Sequence, residues 1–133
     1  MVKSKQIARE AELRFAAELT RKDWEIFFPY GEDSPIDILA HKDGKFMKIQ
    51  IKATKINCGA ISCKLRSTNN WQNKKYQIGE IDAFGFYDYE SKKGYLIPIK
   101  EVVGKSEIKL RIKKPKNNQR IGIRYAKDYL HFE

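Results

Sequence analysis

The residues best suited to chemistry lie between positions 34 and 54. Phe46-Met47-Lys48-Ile49-Gln50-Ile51-Lys52-Ala53-Thr54 alternates: at period two, Met47, Ile49, Ile51 and Ala53 share one face and Lys48, Gln50 and Lys52 the other. Ser34-Pro35-Ile36-Asp37-Ile38-Leu39-Ala40 is a second apolar run with one carboxylate inside it. Between the two, His41-Lys42-Asp43-Gly44-Lys45 carries Asp-Gly, residues that tolerate the positive φ of a tight hairpin turn. The hairpin makes the strands antiparallel neighbours and brings Asp37 towards Gln50 and Lys52. A carboxylate, an amide oxygen and an ammonium on one sheet face form a candidate Mg²⁺ site with a cation beside it. The competing reading is an ordinary half-solvated strand whose lysines stand in water.

Other elements must hold that hairpin. From about Lys5 to Lys22, Ala8, Ala11, Glu12, Phe15, Ala16 and Leu19 recur at helical spacing, with Ser4 as a candidate N-cap. Glu12 is anomalous in an inward stripe, because a buried carboxylate is costly unless something positive meets it. Strands are expected at Trp24–Phe28, Gly59–Leu65, Ile81–Tyr87, Gly94–Ile99 and Ile108–Ile112. Lys100–Gly104 could add one helical turn, and residues 121–133 are expected to pack back on the body. Residues 67–77 and 113–120 read as polar or basic loops.

Composition sets the class. A chain of 133 residues, 41% hydrophobic with seven Tyr, seven Phe and two Trp, is expected to fold as one domain over residues 1–133. Its 27 Lys and Arg against 17 Asp and Glu leave a net charge of +10, which favours a polyanionic partner, with nucleic acid the default. Cys58 and Cys63 have neither a second pair nor a nearby histidine to complete a zinc site. No signal-peptide or transmembrane run is present, so no membrane association and a cytoplasmic location are expected.

A helix with an inward Glu, then Pro35-Ile36-Asp37, then Gln50-Ile51-Lys52 past the turn resembles the PD-(D/E)XK nuclease superfamily. Glu12–Leu19, Phe28–Ser34, Ile81–Phe84 and Tyr95–Pro98 further resemble its small branch associated with group I introns, and this likeness runs to about residue 125. The resemblance implies an α/β, restriction-endonuclease-like fold: a mixed, mostly antiparallel sheet flanked by the N-terminal helix. It implies a site-specific double-stranded DNA endonuclease using Mg²⁺, of the intron-homing kind. Asp37, Gln50 and Lys52 take the motif positions, with Glu12 as the helix-borne acid. Asp37, Gln50 and the Ile51 main-chain carbonyl would then hold the metal, with Glu12 acting through water. Gln50 departs from the acid usual at its position.

A duplex cut on both strands requires at least a homodimer, and the homing branch suggests a tetramer. Charge and expected exposure nominate Lys48, Arg66, Asn69, Asn70, Trp71, Lys74 and Lys75 for DNA reading, and Lys113, Lys114, Lys116 and Arg120 for phosphates. The alternatives are a structure-selective nuclease of the Holliday-junction resolvase type, a catalytically inactive DNA-binding protein of the same fold, and a basic RNA-binding protein.

Overall fold

The computed structural model describes residues 4–31, 33–69, 72–75, 79–114 and 122–133, with the backbone alone for 67–69 and 72–75. Helix α1, Ser4–Arg21, buries Ala11, Phe15 and Leu19 completely at four-residue steps, while Ala8, expected on the same stripe, is exposed. The helix stops where Asp23 turns left-handed at φ 70° and the Trp24 N–H returns to the Leu19 carbonyl at 3.0 Å, closing an otherwise open end.

The main sheet follows the order β1 (Glu25–Phe27), β2 (Ile38–Lys42), β3 (Lys45–Thr54), β8 (Ala83–Asp88), β9 (Lys93–Pro98), β12 (Leu130–Phe132). Only β3 and β8 run parallel; every other neighbouring pair is antiparallel, so the sheet is mixed and mostly antiparallel. The β2–β3 turn is two residues long, with Asp43 at φ 50° and Gly44 at φ 76°, the double positive φ that makes hairpin strands twist together. That turn fixes the register at Ile38 opposite Ile49.

A second sheet, β4 (Ile56–Asn57), β5 (Ala60–Lys64), β10 (Glu107–Arg111) and β11 (Arg124–Tyr125), runs in the order β11-β10-β5-β4. Two cores result. On one side of the main sheet, Phe15 and Leu19 of α1 pack with Ile38, Ala40, Ile49 and Ile51. On the other, Phe84, Phe86 and Ile97 pack against Ile61, Cys63, Leu65, Ile108 and Leu110. Strand β8 lies between the two cores and all six of its residues are buried. The structure therefore departs from a half-solvated strand: Gln50 and Lys52, in register with Phe84 and Phe86, lie on the side the second sheet shields. The apolar face of β3 also ends at Ile51, since Ala53 is exposed.

Residues 67–69 and 72–75, expected in a polar loop, are strand instead. β6 (Arg66–Asn69) and β7 (Gln72–Lys75) pair antiparallel as a separate two-stranded ribbon. A 3-10 turn at Ile99–Glu101 stands where one helical turn was expected, and β12 brings the C-terminal end back onto β9.

Gly85 permits the close approach of α1 to the sheet. A Cβ there would lie 2.9 Å from both Ile51 Cδ1 and Phe15 Cζ, side chains fixed in a dense core. Gly85→Ala is expected to destabilise the fold by about 1–3 kcal/mol, measured by urea unfolding; an unchanged midpoint would show that α1 shifts freely over the sheet.

Candidate active site

Strand β2 begins at Ile38, opposite Ile49, so β3 from Gln50 onwards has lost its β2 partner. An unpaired strand edge leaves N–H and C=O groups unsatisfied. Asp37, immediately before β2, fills this gap. Its own N–H donates to the Ile49 carbonyl at 2.9 Å, and its Oδ2 accepts the Ile51 N–H at 2.8 Å. The carboxylate is thereby held against the open edge of β3. The N–H and C=O of one strand residue point the same way, so the Ile51 carbonyl faces that same edge. Upstream, the Ser34 hydroxyl accepts the Ile36 N–H at 3.0 Å, shaping the turn that delivers Asp37.

Electrostatics tie Glu12 and Lys52 to this point. Burial raises the Asp37 pKa above the usual carboxylate range, opposed by the Ile51 N–H and by the Lys52 ammonium. Burial also raises Glu12, and the Asp37 charge raises it further, with Arg9 pulling the other way. The positive partner expected for Glu12 is thus joined by a second carboxylate. Burial lowers the Lys52 pKa, Asp37 opposes this, and the Lys64 charge adds to it. The Lys52 ammonium donates to the Arg66 carbonyl at 3.1 Å, which fixes its position at the base of the ribbon. Gln50 Oε1 is buried and, among the described residues, accepts no hydrogen bond.

Two carboxylates within each other's field and an orphaned amide oxygen make an under-neutralised set of hard oxygen donors. Among the described residues no three His, Cys, Asp or Glu side chains are grouped to hold a metal. The acid count therefore stops at two, and amide and main-chain oxygens would have to complete any coordination shell. Hard divalent cations take such ligands readily. The donor set fits one.

The residues nominated for DNA contact are scattered. Lys48 is tied down: its ammonium donates to the Gly79 carbonyl, and its N–H donates to Asp82 Oδ2 at 2.8 Å. Arg66 opens the β6–β7 ribbon, and its Nε is buried without a partner. Asn69, Lys74 and Lys75 belong to the ribbon, whereas Asn70, Trp71, Lys116 and Arg120 lie outside the described residues. Lys113 and Lys114 are exposed and line a groove of about 1200 Å³ with Lys105, Lys109, Arg111 and Arg124. No motif in the sequence marks those last four, although Lys109 and Arg111 share one face of an alternating strand. Cys58 is exposed; Cys63 is buried in the second core, where burial and then the nearby Glu107 push its thiol up to about 12, leaving it inert at neutral pH. Among the described residues no helix is long and apolar enough to cross a membrane.

No curated protein sequence matches the chain. The bacterial homing endonuclease I-Ssp6803I has a similar structure, with a TM-score of 0.76 at 20% sequence identity, over 97% of this chain and 89% of that one. At that identity the likeness establishes a shared fold, α/β and restriction-endonuclease-like. The PD-(D/E)XK endonuclease family model matches residues 2–132, nearly the full sequence. The motif residues and the fold agree with that match: this chain belongs to the PD-(D/E)XK endonuclease family.

Proposed function

We propose that this nuclease is a site-specific, Mg²⁺-dependent endonuclease of double-stranded DNA, of the intron-homing kind, working in the cytoplasm as one domain over residues 1–133. The observation that carries the reading is a buried Gln50 Oε1, without a hydrogen-bond partner among the described residues, one position before the Ile51 whose N–H clamps the Asp37 carboxylate. PD-(D/E)XK nucleases generally use divalent metal ions. Here Asp37, Gln50 Oε1 and the Ile51 carbonyl would hold Mg²⁺, with Glu12 reaching it through water. When bound, the ion supplies charge neutralisation at the phosphodiester and acidifies coordinated water.

The chain's own groups do the rest. The main-chain clamp on Asp37 removes the conformational search that a free carboxylate would face. Lys52, aimed by the Arg66 carbonyl, orients the attacking water and offsets charge that develops on the phosphate oxygens. Its depressed pKa eases proton exchange with that water. A water oxygen forms a bond to phosphorus while the bond to one bridging oxygen breaks, and a proton passes to the departing alkoxide. The β6–β7 ribbon has the form that enters a DNA major groove, and the Lys113–Lys114 segment supplies phosphate contacts. One site per chain and two strands to cut call for a homodimer at least, its two-fold axis matching the duplex, and the homing likeness suggests a tetramer.

Gln50 in place of an acid favours one rival, a DNA-binding protein of this fold without catalysis. Lys52→Ala decides between them. It is expected to slow single-turnover, Mg²⁺-dependent cleavage by at least about 10²-fold while duplex affinity measured in Ca²⁺ is unchanged. Cleavage at the wild-type rate would remove Lys52 from the mechanism, and a wild-type protein that cuts no duplex would establish the inactive reading.

Removing the acid charge tests the donor set through stability. Both carboxyls are raised in the folded state, so the stability they contribute is present below the unfolded carboxyl pKa, near 4, and is lost as pH rises through the folded values. At pH 7 without divalent ions, Asp37→Asn should therefore have a higher Tm than wild type, the gap closing below about pH 4. Adding Mg²⁺ should raise the Tm of wild type alone. A variant less stable at pH 7, or one equally stabilised by Mg²⁺, would contradict the assignment.

A further inference from the structure

Past Lys52, the end of β3 forms one wall of a cleft of about 560 Å³, with β5 opposite. Lys52, Lys55 and Lys64 line it together with Ser62, Phe86 and Tyr89, and no carboxylate does. Neither Lys55 nor Lys64 makes an ion pair among the described residues. Glu107, in register with Lys64 on β10, accepts the Ser62 hydroxyl. Like charges lining one cleft repel one another, and no carboxylate in its wall offsets them. Such a cleft is stabilised by an anion. Its volume exceeds that of a lone phosphate and suits a sugar-phosphate unit, with Phe86 and Tyr89 offering apolar surface to the sugar.

We infer that this cleft holds the backbone of the cleaved DNA strand next to the scissile phosphate, with Lys64 and Lys55 binding the neighbouring phosphate while Lys52 serves the reacting one. The inference rests on the endonuclease reading and deepens it. Lys64 and Lys55 are positioning residues: they set where the strand lies relative to Lys52 and do not touch the bond that breaks.

Duplex binding in Ca²⁺, followed against salt concentration, tests the contact without requiring cleavage. Each lost phosphate contact lowers the slope of log Kobs against log salt by about 0.9. Lys64→Ala should show that drop, and Lys127→Ala, an exposed lysine on the 3-10 turn Ala126–Tyr129, should not. A Lys64→Ala slope equal to that of wild type overturns the inference. Placement is tested on a duplex that wild type cuts, with a neutral methylphosphonate replacing each phosphate flanking the cut in turn. At the contacted position the modification should slow wild type but cost Lys64→Ala nothing further, whereas penalties that add at both flanking positions overturn the placement. Failure of wild type to cut any duplex in Mg²⁺ would sink the endonuclease reading instead, and the salt slope would still report whether the cleft holds a phosphate.

Discussion

The hydrogen bond from the Ile51 N–H to the Asp37 carboxylate is the contact on which the site depends. It exists because β2 starts two residues too late to cover Gln50 and Ile51, so a side chain takes the place of a strand. The two-residue turn at Asp43-Gly44 sets that offset through the β2–β3 register. Strand side chains alternate, so a slip of one residue would turn Gln50 and Lys52 towards α1 and bring Ile49 and Ile51 out of the first core. The burial of Ile38, Ala40, Ile49 and Ile51 under Phe15 and Leu19 makes such a slip costly. Apolar packing on one face thus determines where the polar groups stand on the other.

That arrangement carries an electrostatic cost. Asp37 and Glu12 are both harder to ionise than free carboxyls, and Lys52 is harder to protonate than a free amine, in each case because burial comes first among the causes. Groups held against their solvation preference are a common feature of catalytic sites. For Lys52 the second sheet provides the burial: with Ile61, Cys63 and Leu65 packed on Phe84 and Phe86, it shields the Lys52 face while leaving the end of β3 open as a cleft. One layer of strands therefore both desolvates the lysine and lines the path along which a polyanion would approach it.

Local signals made much of this legible in advance. Asp-Gly predicts a turn with two positive φ angles, and the turn has them; the spacing of Ala11, Phe15 and Leu19 predicts the inward face of α1, and they are fully buried. Asp37 comes to Gln50 and Lys52 because two short-range rules, turn geometry and strand alternation, suffice to place it. Contacts made at long range were not legible. The pairing of β5 with β10 joins residues more than forty positions apart and covers a β3 face that its composition alone marks as solvated. The β6–β7 ribbon has polar residues on both faces, so no alternation of apolar side chains announces it. Lys55 and Lys64 read as two surface lysines until the fold puts them in one cleft with Lys52. The Gln50 oxygen showed the same limit: only burial without a partner distinguishes it from an ordinary strand glutamine.

The most direct test of the central claim is a crystal structure of the protein with duplex DNA and Ca²⁺. The cation is expected within about 2.3–2.6 Å of Asp37, Gln50 Oε1 and the Ile51 carbonyl, with Lys52 beside the phosphate it contacts. A cation bound elsewhere, or a Gln50 side chain hydrogen-bonded within the protein while DNA occupies the cleft, would contradict it.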